Sequence, residues 1–181
     1  LRKAMGTRDE KYTLEGMIEF DEGYFTVESS EIEQEKGVRG RGAAGKQNVA
    51  VMAESVPLEN LETGEKSKSC RYFKAKVLET HLSLEINETI KESIDNQSIV
   101  FTDKSTSYVD ISDFVELHIT EKSDKETTNE TLKWVHITIS NAKRNLLGNY
   151  HKIKRKYLQL YLNEFIYKLN RRYFGDRLFE R

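Results

Sequence analysis

Apolar and polar residues alternate along GMIEFDEGYFTVE, Gly16 to Glu28: Ile18, Phe20 and Tyr24 fall on one parity, Glu19 and Asp21 on the other. Period two predicts a strand with two unlike faces. NVAVMAES, Asn48 to Ser55, is a short apolar run suited to a buried strand, and SCRYFKAKVL, Ser69 to Leu78, alternates well enough for a third. Between these two, Pro57 and the polar stretch after it predict a turn. Leu82, Ile86, Ile90 and Ile94 recur at steps of four, which predicts an amphipathic helix. SIVFTD, Ser98 to Asp103, predicts a fourth strand ending on a carboxylate. TSYVDISDF suits a short helix and VELHIT, Val115 to Thr120, a fifth strand; EKSDKETTNETLKW is polar and loop-like. HITISNAKRNLLGNYH, His136 to His151, has the look of a helix head, with Ser140 or Asn141 suited to cap it. From Ile153 to Tyr173, Leu158, Tyr161, Leu162, Phe165 and Leu169 at steps of three and four predict a long amphipathic helix.

The order is βββαβαβ followed by helices. It predicts an α/β fold: a mixed five-stranded sheet flanked by helices, in the ribonuclease H-like arrangement, with a long C-terminal amphipathic helix. The 181 residues suit one domain spanning 1–181, and the start at Leu1 without Met suggests that a segment precedes it.

Composition sharpens the picture in one place. The formal net charge is -1, but Asn141 to Arg181 holds 11 of the 29 Lys+Arg and 3 of the 30 Asp+Glu, a local charge of +8. The remainder carries 18 basic and 27 acidic residues. Such asymmetry suits either a polyanionic partner or a solvated helix face. The single cysteine, Cys70, excludes an internal disulfide and a cysteine-rich metal site, and reads as a small buried thiol. Three Asn-x-Ser/Thr triplets, at Asn87, Asn96 and Asn129, have no secretory signal beside them, and no long apolar run suggests a membrane. The expected location is the cytoplasm.

Two aspartates stand where chemistry could use them. Asp21 lies within the first strand and Asp103 at the end of the fourth, and the expected topology makes these strands neighbours. Close carboxylates repel, and a hard divalent cation relieves that repulsion. A pair of such ions about 4 Å apart can activate a water and stabilise the leaving oxygen of a phosphodiester. The competing structural reading makes Asp21 a strand-edge acid and Asp103 a turn or helix cap. Asn141 has the same two readings: a helix cap, or an uncharged oxygen ligand. Lys143 and Arg144 follow within a turn and can hold phosphates as point charge and fork. RGRGAAGK places Arg39, Arg41 and Lys46 among glycines but lacks the P-loop spacing, which leaves it as a basic loop able to touch a nucleic-acid backbone. His81, His118, His136 and His151 have no ligand-like spacing, which speaks against a zinc hydrolase.

LRKAMGTRDEKYTLEGMIEFDEGYF, RGRGAAGKQNVAV, SIVFTDKSTSY, HITISNAKRNLLGNYHKI and YLQLYLNEFIYKLNRRYF, in that order, resemble the catalytic domain of bacterial insertion-sequence transposases of the IS1595 group, the ISXO2-like domain. The resemblance runs from about Leu1 to Phe174. It implies metal-dependent DNA cleavage at element ends and strand transfer into target DNA, by a DDE-type triad whose third member in this branch is often Asn. Asp21, Asp103 and Asn141 match the triad and the metal ligands, and Lys143 matches the basic residue that accompanies it. Two ions of Mg²⁺ or Mn²⁺ are implied, with transposon-end and target DNA as partners and a homo-oligomer on DNA. No membrane or small-molecule substrate is expected. Arg39, Arg41, Lys46, Lys143, Arg144, His151, Arg171 and Arg172 are the expected DNA contacts. The N-terminal zinc-ribbon and helix-turn-helix region of such proteins is expected to be missing here. Lys104 follows the second acid where the family commonly has Gly, and the loop after the first strand is acidic. The rival expectation is a catalytically inactive DNA-binding or assembly module, with Asn141 a plain cap.

Overall fold

A computed structural model describes residues 1–28, 45–80, 82–105, 108, 110–122, 124 and 130–172. Its strands are β1 (Met17–Thr26), β2 (Lys46–Glu59), β3 (Lys66–Leu78), β4 (Ile99–Asp103) and β5 (Leu117–Glu121). Its helices are α1 (Arg2–Glu10), α2 (Ser83–Ser93), α3 (Lys133–Asn149) and α4 (Leu158–Asn170). The sheet order is β3-β2-β1-β4-β5. β1–β2 and β2–β3 are antiparallel, while β1–β4 and β4–β5 are parallel. This is the expected α/β, ribonuclease H-like arrangement, with β1 and β4 side by side.

Both faces of the sheet are covered, so the alternation along β1 sorts residues between two cores. Ile18 and Phe20 join Ala50, Met52, Val100 and the α2 residues Ile86 and Ile90 on one face. Phe25, Val49, Val51 and Ala53 pack on the other face against Val135, Ile139, Ala142 and Leu146 of α3 and Leu158, Leu162 and Ile166 of α4. Glu19 and Asp21 share the second parity and therefore look toward α3.

Four elements differ from the sequence expectation. β2 and β3 continue past Ser55, the last partner of β1, as a two-stranded ribbon from Val56↔Ser69 to Glu59↔Lys66. Pro57 lies inside that ribbon, opposite Lys68, and does not mark the turn. A missing N–H is tolerated there because β2 has only one neighbour strand at that level. The turn is set by Asn60, whose Oδ1 accepts from the Glu62 N–H at 2.9 Å and whose carbonyl accepts from the Gly64 N–H at 2.7 Å. The C-terminal helix divides into a 3₁₀ turn at Arg155–Tyr157 and then α4. The third difference, the start of α3, bears on the site. The short helix expected in TSYVDISDF reduces, among the described residues, to a 3₁₀ turn at Ile111–Asp113.

At the β3 edge, the side-chain amides of α4 take the place of a missing strand. Gln159 Oε1 accepts from the Val77 N–H at 2.7 Å and its Nε2 donates to the Ala75 carbonyl at 3.0 Å. Asn170 Oδ1 accepts from the Phe73 N–H at 2.8 Å, and its Nδ2 donates to the Phe73 carbonyl at 3.0 Å and to Asp9 at 3.1 Å. Residues 73, 75 and 77 are the alternate positions whose backbone groups an edge strand leaves open. Asn170→Ala strands a buried N–H and a buried carbonyl. The expected cost is about 2 kcal/mol, or roughly 4–8 °C of Tm, read by thermal unfolding. A Tm unchanged by the substitution would mean that water serves this edge equally well.

Candidate active site

The parallel ladder between β1 and β4 fixes Met17↔Ile99, Ile18↔Val100 and Glu19↔Phe101. Carried two residues further on each strand, the same register sets Asp21 beside Asp103. Asp21 is largely enclosed: its side chain keeps 16% of its exposure. Its Oδ1 accepts from the Glu22 backbone N–H at 2.8 Å, and its Oδ2 lies 3.8 Å from His136 Nδ1. Asp103 carries a buried carboxylate oxygen, Oδ1, that has no hydrogen-bond partner among the described residues. A buried acceptor without a donor is costly to maintain, and a cation is one of the few groups that would satisfy it.

The electrostatics agree with the geometry. Burial, reinforced by the charges of Asp103 and Glu22, pushes the Asp21 carboxyl up to about 7, against the pull of the Glu22 N–H and Lys143. Burial also raises the Tyr108 hydroxyl, with the charges of Asp21, Glu22 and Asp103 adding to it. Tyr108 donates to Glu22 Oε2 at 3.4 Å. Glu22 thus points to the opposite face from Asp21, where Asn48 also donates to it. Burial pushes the His136 imidazole down, partly offset by Asp103. A neutral imidazole keeps a lone pair free for a proton or a metal.

His136 stands here because α3 begins earlier than the sequence suggests. The helix starts at Lys133, so Ser140 and Asn141 are mid-helix residues and neither caps it. The apolar stripe Val135, Ile139, Ala142 and Leu146 rests on the sheet. His136 and Lys143, seven residues apart, share one border of that stripe, since two turns take about seven residues. Asn141 is five residues from His136, about 140° around the axis, on the other flank. It is exposed, and its Oδ1 accepts from Arg144 Nη2 at 2.8 Å. The helix packs tightly on β1 at Gly23, where an added Cβ would lie 3.0 Å from Ile139 Cγ2.

The helix start is held from the sheet. Leu132 precedes α3 and offers no side-chain acceptor. Glu19, fully buried on β1, accepts at Oε2 from the backbone N–H groups of Trp134 at 2.6 Å and Val135 at 3.2 Å. Lys68 Nζ donates to Glu19 Oε1 at 3.4 Å and to the Thr131 carbonyl at 3.1 Å. The alternation of β1 places Glu19 on Asp21's face, and a charged residue in so buried a strand is the signal that could have singled it out.

The other expected contacts divide. Lys143, half-buried, acts on Asp21 electrostatically and lies 5.7 Å from the Phe25 ring centroid. It shares a small cavity of about 60 Å³ with Tyr24, Tyr150 and the exposed His151. Lys46 is exposed at the head of β2, opposite Thr26 at the end of β1. Arg171 is engaged elsewhere: its side chain is 9% exposed, pairs with Asp9 at 2.9 Å and stacks over Tyr167. That ion pair fastens α1 to α4. Arg172 donates to the Cys70 carbonyl at 2.6 Å, at the β3 edge two strands from β1. Arg39 and Arg41 lie outside the described residues.

Among the described residues, no three His, Cys, Asp or Glu side chains gather closely enough to hold an ion by themselves. The donor set is a carboxylate pair with an imidazole at its border, which suits a hard cation that keeps water or phosphate oxygens in its remaining positions. No described helix is long and apolar enough to cross a membrane. Among known families, the model described as the ISXO2-like transposase domain matches residues 13–170. A search of curated proteins finds no match to the chain.

Proposed function

The chain belongs to the family of ISXO2-like transposase domains, and from that premise we propose that it cleaves DNA at the ends of a mobile element and joins them to a target, with a divalent cation. The observation that carries this reading is the buried Oδ1 of Asp103, without a hydrogen-bond partner among the described residues, close enough to Asp21 to raise its carboxyl pKa. Asp21 and Asp103 would hold Mg²⁺ or Mn²⁺, with phosphate oxygens and water completing the shell. Such ions supply Lewis-acid charge for in-line attack on a phosphodiester by water, and then by the freed 3′-hydroxyl.

The chain's own groups set up the rest. Enclosure of Asp21 keeps bulk water from screening its charge. Lys143 places a positive charge on the same side and offsets phosphate charge as it enters. His136, half-buried and with its pKa pushed down by desolvation, is placed to accept a proton or donate its lone pair beside Asp21 Oδ2. Lys46, Arg144 and His151 are exposed and suited to backbone phosphates.

The test is a calorimetric titration with Mn²⁺. The unaltered chain is expected to bind, and Asp21→Ala to lose binding. Binding needs the ionised carboxylate, and the Asp21 pKa of about 7 sets the sign. Affinity rises with pH up to about 7 and levels off above it. Binding that is absent from the unaltered chain would overturn the reading in favour of a non-catalytic DNA-binding or assembly module.

A further inference from the structure

We propose that Glu19 is a positioning residue: by capping α3 from within β1, it sets His136 and Lys143 against Asp21. The inference rests on the reading of Asp21 and Asp103 as a metal centre. The first N–H groups of any helix lack intrahelical acceptors, and a residue before the helix ordinarily supplies one. Leu132 has none to give, and the acceptor comes instead from a carboxylate on the strand that bears Asp21.

The placement is economical in residues. Glu19 is two positions from Asp21 on the same face of β1, roughly 7 Å along the strand. The groups it binds, Trp134 and Val135, immediately precede His136. Strand acid and helix imidazole are thus linked through one buried carboxylate and the two hydrogen bonds it accepts. Two N–H bonds on Oε2 fix how far α3 slides along its axis. Lys68, spanning Oε1 and the Thr131 carbonyl, restrains its rotation. Gly23 lets the helix come down onto the strand. A helical slip of one residue moves a side chain by 1.5 Å along the axis and about 100° around it, enough to carry His136 away from Asp21.

A role confined to stability would leave the centre intact in any variant that still folds. Outer groups that orient metal-site residues typically change affinity by about 10–100-fold when removed. Glu19→Ala is therefore expected to weaken Mn²⁺ binding by about 10–100-fold and to lower cleavage kcat with little change in KM for DNA. It is also expected to speed hydrogen exchange at the Trp134 and Val135 amides. Glu19→Gln keeps one oxygen for those amides and is expected to remain closer to the unaltered chain in all three readouts.

Glu54 supplies the control. It is equally buried, bonds Tyr12, Glu15 and Arg71, and sits opposite Ile18 on the α2 side of the sheet. Glu54→Gln is expected to lower Tm without moving Mn²⁺ affinity. Unchanged Mn²⁺ binding in a folded Glu19→Ala chain would overturn the role of Glu19 and leave the metal centre standing. An equal loss in Glu54→Gln would overturn it too, since the effect would then be general loosening. A lack of Mn²⁺ binding in the unaltered chain would overturn both readings together.

Discussion

Asp103→Asn is expected to slow Mg²⁺-dependent cleavage of end-bearing DNA by about a thousandfold or more, since an ion contributing several kcal/mol at the transition state is worth that much in rate. The substitution is nearly isosteric and replaces an acceptor that has no donor partner among the described residues. The fold should therefore survive, with an unchanged Tm as the check. The loss arises because an amide brings no charge to offset the ion and at most one oxygen. The same substitution relieves the repulsion on Asp21, so the Asp21 carboxyl should ionise more readily even as the site fails. Undiminished cleavage in Asp103→Asn would remove the second acid from the centre.

The second large effect separates two residues of one helix. His136→Ala is expected to reduce the cleavage rate by about 10–100-fold, as the loss of a group bordering the metal carboxylates does. Asn141→Ala, on the far flank of α3 where the side chain accepts from Arg144, is expected to stay within about twofold, as surface substitutions usually do. Resemblance gives the third place to Asn141, while His136 is the residue of α3 whose ring nitrogen lies 3.8 Å from Asp21 Oδ2. Cleavage assays of the two variants under the same Mg²⁺ concentration decide between them. A large loss in Asn141→Ala with none in His136→Ala would return the role to Asn141 and require α3 to turn when DNA binds.

The sheet was legible because its code is local. Ile18 and Phe20 against Glu19 and Asp21 give the two faces of β1 directly, and steps of four from Leu82 to Ile94 give α2. The neighbourhood of Asp21 and Asp103 followed from topology, which parallel strands and right-handed connections restrict to a few choices. The head of α3 was not legible, and the reason is physical. Its cap is Glu19, 115 positions away from Trp134, so nothing near Lys133 marks a helix start. Ser140 and Asn141 have the chemistry of caps, and with the true cap remote they drew the boundary to themselves. Once α3 is known to include Val135, its stripe through Ile139, Ala142 and Leu146 places His136 and Lys143 on one border without further information. The hidden role of Arg171 is similar. A basic residue at the end of a basic helix reads as solvent-facing until α1 supplies Asp9 from the other end of the chain.

The parallel pairing of β1 with β4 also governs when the centre exists at all. β2 and β3 meet across a short turn, and closing so small a loop costs little chain entropy. Asp21 and Asp103 lie 82 positions apart, and α3 arrives some 30 residues after the second acid. During synthesis the hairpin can zip while β4 is still unmade, so a nascent or truncated chain holds one acid and no helix to face it. The nuclease chemistry proposed for this fold is therefore withheld until nearly the whole domain has been translated and closed. A chain still under synthesis thus holds no complete centre until α3 has been made.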